Sequence, residues 1–374
     1  MKFSITRDLL RQAIGFSNLA LSATDRDVIT SGVMFDVKAT GVSSLLSTDK
    51  SMFSKQDISL TNVEGDFKVV VSGKKISDIC QEFPDGDITF TYLHADGVLE
   101  VTGASGLISL TAYSADEYPD FSEYFDSDVL GEGVDYTEDV LERSLNFVAA
   151  FVKDDERRPD LALAELRNGK FLSSDGNKFA MFICPVLLGG IKIPYYTLAS
   201  LTKAISLLVT PENTHIKIHE TTNHFILNCE DKFFGYIKTD RSFPMVENKI
   251  LSANPNFEVK LDREFVTQAI KRLKIALDDD NGFMNFKIAV TGTNGTMKCA
   301  VFNSRGAESH ETVPLVVTSG TGEVEFAVSY DDLFKTLVLF SSASLVWKVV
   351  TGKFVEISDT VDNYTATALL PMKI

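Results

Sequence analysis

The sequence predicts an α+β protein made of three copies of one unit, mostly antiparallel strands with two helices lying on one face of a sheet. Three observations carry that expectation. Residues 45–53, LLSTDKSMF, can be laid on residues 171–179, FLSSDGNKF, so that Leu46, Ser47, Asp49 and Phe53 meet Leu172, Ser173, Asp175 and Phe179 at an offset of 126. Residues 5–14, ITRDLLRQAI, align without a gap on 261–270, LDREFVTQAI, which matches Arg7, Gln12, Ala13 and Ile14 to Arg263, Gln268, Ala269 and Ile270 at about twice that offset, 256. Each unit also ends alike, at Pro119 in EYPDF, Pro244 in SFPMV and Pro371 in LLPMK, with offsets of 125 and 127. A chain of 374 residues has room for three such periods.

Each element has its own signal. In the first unit Leu9, Leu10, Ala13 and Ile14 share one helical face and Arg7 and Arg11 another, with Ser4 or Thr6 as the cap. Alternating stretches at 32–37, 45–53 and 67–72 read as strands. A second helix, GKKISDICQEF, stops before Pro84, and strands follow at 88–93 and 99–102. The middle unit opens its helix at YTEDVLERSLNFVAAFV, with acids in the first turn where the helix dipole favours them. Second helices are expected at PYYTLASLTKAISLLV and YDDLFKTLVLF. Turn and acidic residues place linkers near 124–135 and 248–256, giving domains at 1–125, 134–250 and 256–374 joined in a rigid arc.

Composition bounds the function. Hydrophobic residues are 44% and charged ones 24%, so the chain is expected to fold throughout. No window approaches 18 uncharged apolar residues, and Arg7 and Asp8 interrupt the start, so a soluble, unexported, cytoplasmic protein with no membrane partner is expected. Cys80, Cys184, Cys229 and Cys299 stand singly, without CxxC pairs, and read as buried free thiols.

No catalytic or metal site emerges. His215 and His219 fall in an alternating strand, which separates them by about 13 Å. The segment beginning at Gly292, GTNGTMK, lacks P-loop spacing and reads as a hairpin turning at Asn294-Gly295. Asp278 to Asp280 lack the ligand spacing of a calcium loop. No cofactor is expected, and the chain is not read as an enzyme. Single-strand binding would need exposed aromatics among basic residues, whereas Phe233-Phe234 sits in a strand-like run.

The MKF start with its helix, VSGKKISDICQEFPDGD, the SSDGNKFAM turn, RSFPMV and the terminal LLPMKI, in that order, resemble the bacterial beta sliding clamp, the processivity factor of the replicative DNA polymerase. The likeness is to a divergent or virus-encoded member. It implies three clamp domains per chain, antiparallel sheets outside and two helices per domain inside, forming half of a ring that a homodimer closes around double-stranded DNA. Its implied partners are the replicative DNA polymerase, a clamp loader and, without sequence preference, DNA. It places the chain in the cytoplasm at the nucleoid, or in host cytoplasm if virus-encoded.

The resemblance also assigns residues. A partner-peptide pocket would use Leu161, Ser174, Gly176, Asn177, Lys178, Phe179 and Pro244, with Tyr330 on the last helix and Leu370, Pro371 and Met372 from the tail. Arg7, Arg11, Lys74, Lys75, Lys203, Arg263, Lys271 and Lys274 would face DNA. Ile108 would meet Ile275 and Leu277 at the ring seam, with Lys271, Arg272 and Lys274 seeking acids across it. The chain departs from the family at Asn177-Lys178, commonly His-Arg, at Arg158-Pro159-Asp160, where paired aromatics are common, and at Asn248, commonly basic.

Net charge is −16, which on average repels a phosphate backbone. The six expected helices nevertheless sum to +2, leaving −18 elsewhere. Arg263, Thr267, Lys271 and Lys274 form one stripe opposite Val266, Ile270, Leu273 and Leu277. A closed ring needs only weak contacts to phosphates, which permit sliding. The competing expectation is a β-rich structural or assembly protein built from the same repeat; retention on nicked circular DNA separates the two.

Overall fold

The computed structural model describes residues 1–22, 27–155, 157–183, 190–245, 253–277, 282–291, 294–302, 305–361 and 364–372. Its first stretch contains β1 (Lys2–Thr6), α1 (Arg7–Ser17), β2 (Gly32–Val37), β3 (Ser43–Thr48), β4 (Met52–Ile58), β5 (Thr61–Glu64), β6 (Phe67–Ser72), α2 (Gly73–Glu82), β7 (Asp87–Leu93), β8 (Val98–Gly103) and β9 (Gly106–Thr111). The middle stretch contains β10 (Val134–Thr137), α3 (Glu138–Ala149), β11 (Leu163–Arg167), β12 (Lys170–Ser174), β13 (Phe179–Ile183), β14 (Lys192–Pro194), α4 (Tyr195–Leu208), β15 (His215–Glu220), β16 (His224–Cys229) and β17 (Lys232–Ile237). The last contains β18 (Phe257–Asp262), α5 (Arg263–Lys274), β19 (Phe283–Thr291), β20 (Asn294–Phe302), β21 (Glu308–Ser319), β22 (Glu323–Ser329), α6 (Tyr330–Leu337), β23 (Ser344–Val350), β24 (Phe354–Val361) and β25 (Tyr364–Pro371).

These elements pack as two compact units, Met1–Glu142 with Tyr196–Lys238, and Arg143–Tyr195 with Thr239–Ile374. The expected middle domain contributes strands to each. The first unit holds sheets ordered β5-β1-β7-β8-β9 and β10-β15-β16-β17-β4-β3-β2-β6. The second holds one sheet ordered β14-β11-β12-β13-β25-β24-β23-β18-β21-β20-β19-β22. Its β13–β25 ladder and the β4–β17 ladder of the first unit are antiparallel and join strands far apart in the chain.

Side-chain caps start the helices where the sequence reading places them. Thr6 accepts from Leu9 N–H, Ser72 from Lys75, Asp262 from Phe265 and Ser329 from Asp332. Leu10, Ala13 and Ile14 of α1 enter a core with Phe3, Phe35, Phe67 and Phe90, in which Phe3 and Phe90 stack at 4.7 Å. Each fully buried ring of this kind contributes about 2–3 kcal/mol.

Three expectations need correction. Leu9 is exposed, because its position at the start of α1 leaves it outside the buried face. Thr267 is buried beside Val266 and Ile270 and so leaves the exposed stripe of α5. The stretch 45–53 is strand, turn and strand, as its match to 171–179 implies: β3 and β4 are separated where the Asp49 carboxylate accepts from Ser51 and Met52 N–H and turns the chain. Asn294 and Gly295 are paired strand residues opposite Thr291 and Val290, and a Cβ on Gly295 would press on the Ala289 carbonyl, so they are not the hairpin's turn. In the stretch of the expected first linker, Phe121, Tyr124, Phe125 and Leu130 pack with Phe53, Ile226 and Phe233.

Cys80, Cys229 and Cys299 are buried free thiols, and burial raises Cys80 to about 11 and Cys299 to about 12. Cys184, Asn248, Gly292 and Asp278 to Asp280 lie outside the described residues.

Candidate functional site

The SSDGNKF turn between β12 and β13 is held by its own short polar side chains. Asp175 Oδ1 accepts from the N–H groups of Asn177 and Lys178 at 2.9 and 2.8 Å. Ser174 Oγ accepts from Gly176 N–H at 2.9 Å and donates to the Lys178 carbonyl at 2.5 Å. Gly176 has φ +88°, and the Arg158 guanidinium lies where its Cβ would stand, donating to the Asp175 carbonyl at 3.1 Å. The earlier turn repeats this pattern. Asp49 takes the place of Asp175, Thr48 that of Ser174, and Lys50, with φ 75°, that of Gly176. Just before each turn a buried serine donates to a carbonyl in the last turn of α1 or α3, Ser47 to Ser17 at 2.6 Å and Ser173 to Val148 at 2.8 Å.

Around this turn the second unit gathers most of the expected pocket. Phe179 packs with Leu163, Leu172, Met181, Phe243 and Leu369, and Leu161 and Phe354 border them. Phe179 and Phe243 rings lie 6.2 Å apart. Lys178 Nζ reaches Asp332 on α6 at 2.7 Å and Asp175 at 3.3 Å. Burial lowers its pKa, but the bond to Asp332 and the field of Asp175 outweigh that and hold it above the ordinary value. Tyr330 is buried, stacks on Phe334 at 5.7 Å and carries Lys274 Nζ 5.1 Å from its ring.

The tail divides by strand alternation. Leu369 faces the Phe179 cluster, whereas Leu370, also buried, points to the opposite face of β25. Pro371 pairs with Phe354, and Met372 N–H donates to Lys353 carbonyl at 3.3 Å. Pro244 is half-buried at the end of a segment that the sequence reading did not explain. Phe243 N–H donates to buried Glu165 at 2.6 Å, and Arg167 donates to the carbonyls of Phe243 and Pro244 at 2.9 and 3.0 Å. Glu165 and Arg167 were missed because a Glu-Leu-Arg strand looks like an exposed edge. The nearby Ser242-Phe243-Pro244, which strips these groups of solvent, is 75 or more residues away.

The expected DNA-facing cations fall into two kinds. Arg11, Lys74, Lys75, Lys203 and Lys271 are exposed, and Lys274 is half-buried. Arg7 and Arg263 instead stand at the first position of α1 and α5 and donate to the carbonyls of Phe83 and Phe340, where α2 and α6 run out. Arg7 also pairs with Asp8 and Asp85. As observed, α1 to α6 carry +1, 0, −2, +1, +3 and −1, a net of +2, with the positive charge concentrated on α5. Lys271 Nζ lies 5.4 Å from the Phe334 ring.

Of the expected seam residues, Ile108 is exposed on β9, and Ile275 is 87% exposed just past α5, with Leu277 half-buried beyond it. Arg272 has an acid within its own chain, Glu311 on β21, at 2.5 and 2.7 Å. His215 is exposed on β15, while His219 is buried and bonded to Asn228 at 2.9 Å. Among the described residues no group of three or more His, Cys, Asp and Glu could hold a metal ion, and no helix is long and apolar enough to cross a membrane.

Residues 1–122 match the family model described as DNA polymerase III beta subunit, N-terminal domain. The beta sliding clamp of Micrococcus luteus is 30% identical over 123 residues, which are 33% of this chain and 38% of that protein. The fold of the whole chain is similar to that of solved structures. The DNA polymerase III subunit beta from Pseudomonas aeruginosa matches with a TM-score of 0.82 at 19% identity over 100% of both chains. The beta subunit from Thermotoga maritima matches at 0.84 and 17%, and the DNA polymerase sliding clamp from Bacillus subtilis at 0.83 and 16%, each over 100% of this chain and 99% of the other. At these identities the likeness is one of fold.

Proposed function

We propose that this chain, with a DNA polymerase III beta match in its first 122 residues and the beta-subunit fold throughout, is a divergent DNA sliding clamp. It encircles duplex DNA without reading sequence and tethers the replicative polymerase and other factors, after a clamp loader has placed it. It works as a ring and a docking hub in the cytoplasm, with no cofactor and no reaction of its own.

The observation that carries this reading is a strand order found three times. Read toward the strand that leads into each helix, β9-β8-β7-β1 and β4-β3-β2-β6 have the same order as β17-β16-β15-β10 and β13-β12-β11-β14, with β5 added beyond β1 in the first stretch. The run β25-β24-β23-β18-β21-β20-β19-β22 repeats it with β21 standing for both β5 and β4. This supports three domains, 1–125, 134–250 and 256–374, as half of a ring.

The same order supports a homodimer. Twice, the last strand of one stretch adds to the end strand of another's four-strand run, β17 onto β4 and β25 onto β13. The corresponding β9 pairs only with β8, and residues 308–314 of β21 only with β20, among the described residues. A second copy can join these two open edges, with Leu107 and Ile108 exposed on the first.

The pocket around Phe179, Gly176 and Lys178 would take a partner's extended peptide with apolar anchors, and the exposed lysines of α2, α4 and α5 would touch phosphates. Loading onto nicked circular DNA tests the function. Retention that is lost when the circle is linearised is expected; a protein never retained on the circle, or one retained equally on cut DNA, is not a clamp.

A further inference from the structure

The face of each strand layer turned away from the helices can be compared position by position. Ser72 and Ser329 cap α2 and α6, and stand opposite Gly32 and Phe283, the first residues of β2 and β19. Two residues further on, Met34 lies between Val70 and Leu46, and Asn285 lies between Ala327 and Ala300. In the middle stretch Pro194, just before α4, stands opposite Leu163, and two residues on Glu165 lies between Lys192 and Leu172.

The first two faces are covered by the chain itself, each time by an aromatic residue followed by proline. Tyr118, before Pro119, packs on Met34, Leu46 and Val70, and its buried hydroxyl points at the carbonyls of Gly32 and Leu46 at 3.4 and 3.2 Å. Phe243, before Pro244, packs on Leu172 and donates its N–H to Glu165. The third face is a trough of about 350 Å³ lined by strand residues alone. Its floor is Ala327, Asn285 and Ala300, and its wall includes Phe302, 49% exposed, and the Lys298–Glu308 pair.

We propose that this trough is a second docking surface, for a partner peptide carrying a tyrosine or phenylalanine followed by proline. The two alanines leave room where Val70 and Leu46 stand in the first stretch, so a ring can lie between β22 and β20 against Phe302. Asn285, in the place of Glu165, offers a carbonyl and an amide to the peptide backbone. The inference rests on the strand correspondence and not on DNA encirclement.

A labelled peptide copied from residues 114–125, SADEYPDFSEYF, is the probe, titrated against the full chain by fluorescence anisotropy. Saturable binding is expected, weakened at least about tenfold by Ala300→Trp in the protein and by alanine for tyrosine in YP of the peptide. A photo-crosslinker at that tyrosine should label residues 283–302 and 323–329. If Ala300→Trp does not fold, Asn285→Ala gives the same comparison. No saturation by about 1 mM, undiminished binding to the variants, or crosslinks at the Phe179 pocket overturn the proposal. So does self-association through this face that the peptide reverses, which assigns it to a second copy. Retention on circular DNA is scored separately, so either reading can fail without the other.

Discussion

Arg263 and Lys274 lie on one helix, and their surroundings give them different work. Arg263 ties α5 to the Phe340 carbonyl, so Arg263→Ala leaves that carbonyl without its charged donor and is expected to lower stability by about 1.5–3 kcal/mol in urea unfolding. Ser173→Ala removes the buried bond to the Val148 carbonyl and is expected to cost about 1–3 kcal/mol, as is Ser47→Ala at the corresponding bond to Ser17. Unequal losses at the two serines would show that the two turns do not bear alike on their helices. His224 carries the pH prediction. Burial lowers its pKa below 6.5, with the Glu123 field opposing, and its ring lies 4.6 Å from Tyr124 and 5.7 Å from Phe53. The neutral form is favoured in the fold, so its contribution is complete above the ordinary value and is lost as pH falls through the lowered one. His224→Phe should flatten the decline of thermal midpoint on the acid side of pH 6.5.

Helices were legible because their signals are local. Thr6, Ser72, Asp262 and Ser329 each cap the helix that the apolar spacing announces, and the six helices as observed keep the net charge expected of them. The error over Thr267 is physical: a stripe drawn from spacing alone ignores that a threonine methyl packs well beside Val266 and Ile270. The turn at Asn294-Gly295 was misplaced because the residue pair suits a hairpin, while the actual register is set by the long β19–β20 ladder and the close approach of Leu315 to Gly295. With α5 carrying +3, phosphate contact should depend on it more than on the other helices. The double variant Lys271→Ala, Lys274→Ala is expected to reduce the slope of log binding against log salt on duplex DNA by about two, while changing unfolding little.

At the scale of the whole chain, the recurrence of one turn was readable from the 126-residue offset because the turn that follows β3 or β12 demands a hydroxyl and then an aspartate. What could not be read is which strand adds to which. Ladders such as β4–β17 depend on backbone groups that every residue carries, so no residue type marks them. The proposed partner pocket shares this limit: Asp332 meets Lys178 across 154 positions of sequence, and only the fold brings them within 2.7 Å. Pairing of β9 with β21 of a second copy predicts that Leu107→Lys with Ile108→Lys, both at exposed positions, halves the native mass and leaves the unfolding midpoint nearly unchanged. A dimer that survives both lysines would have to be held elsewhere.

The addition of β17 to β4 and of β25 to β13 also bears on how such a gene can change. A recombination event that deleted β17 or β25 would leave β4 or β13 with its hydrogen-bonding groups bare, a template for aggregation. These two ladders therefore tie distant parts of the gene to one another, and leave loops and helix surfaces as the places where sequence can drift.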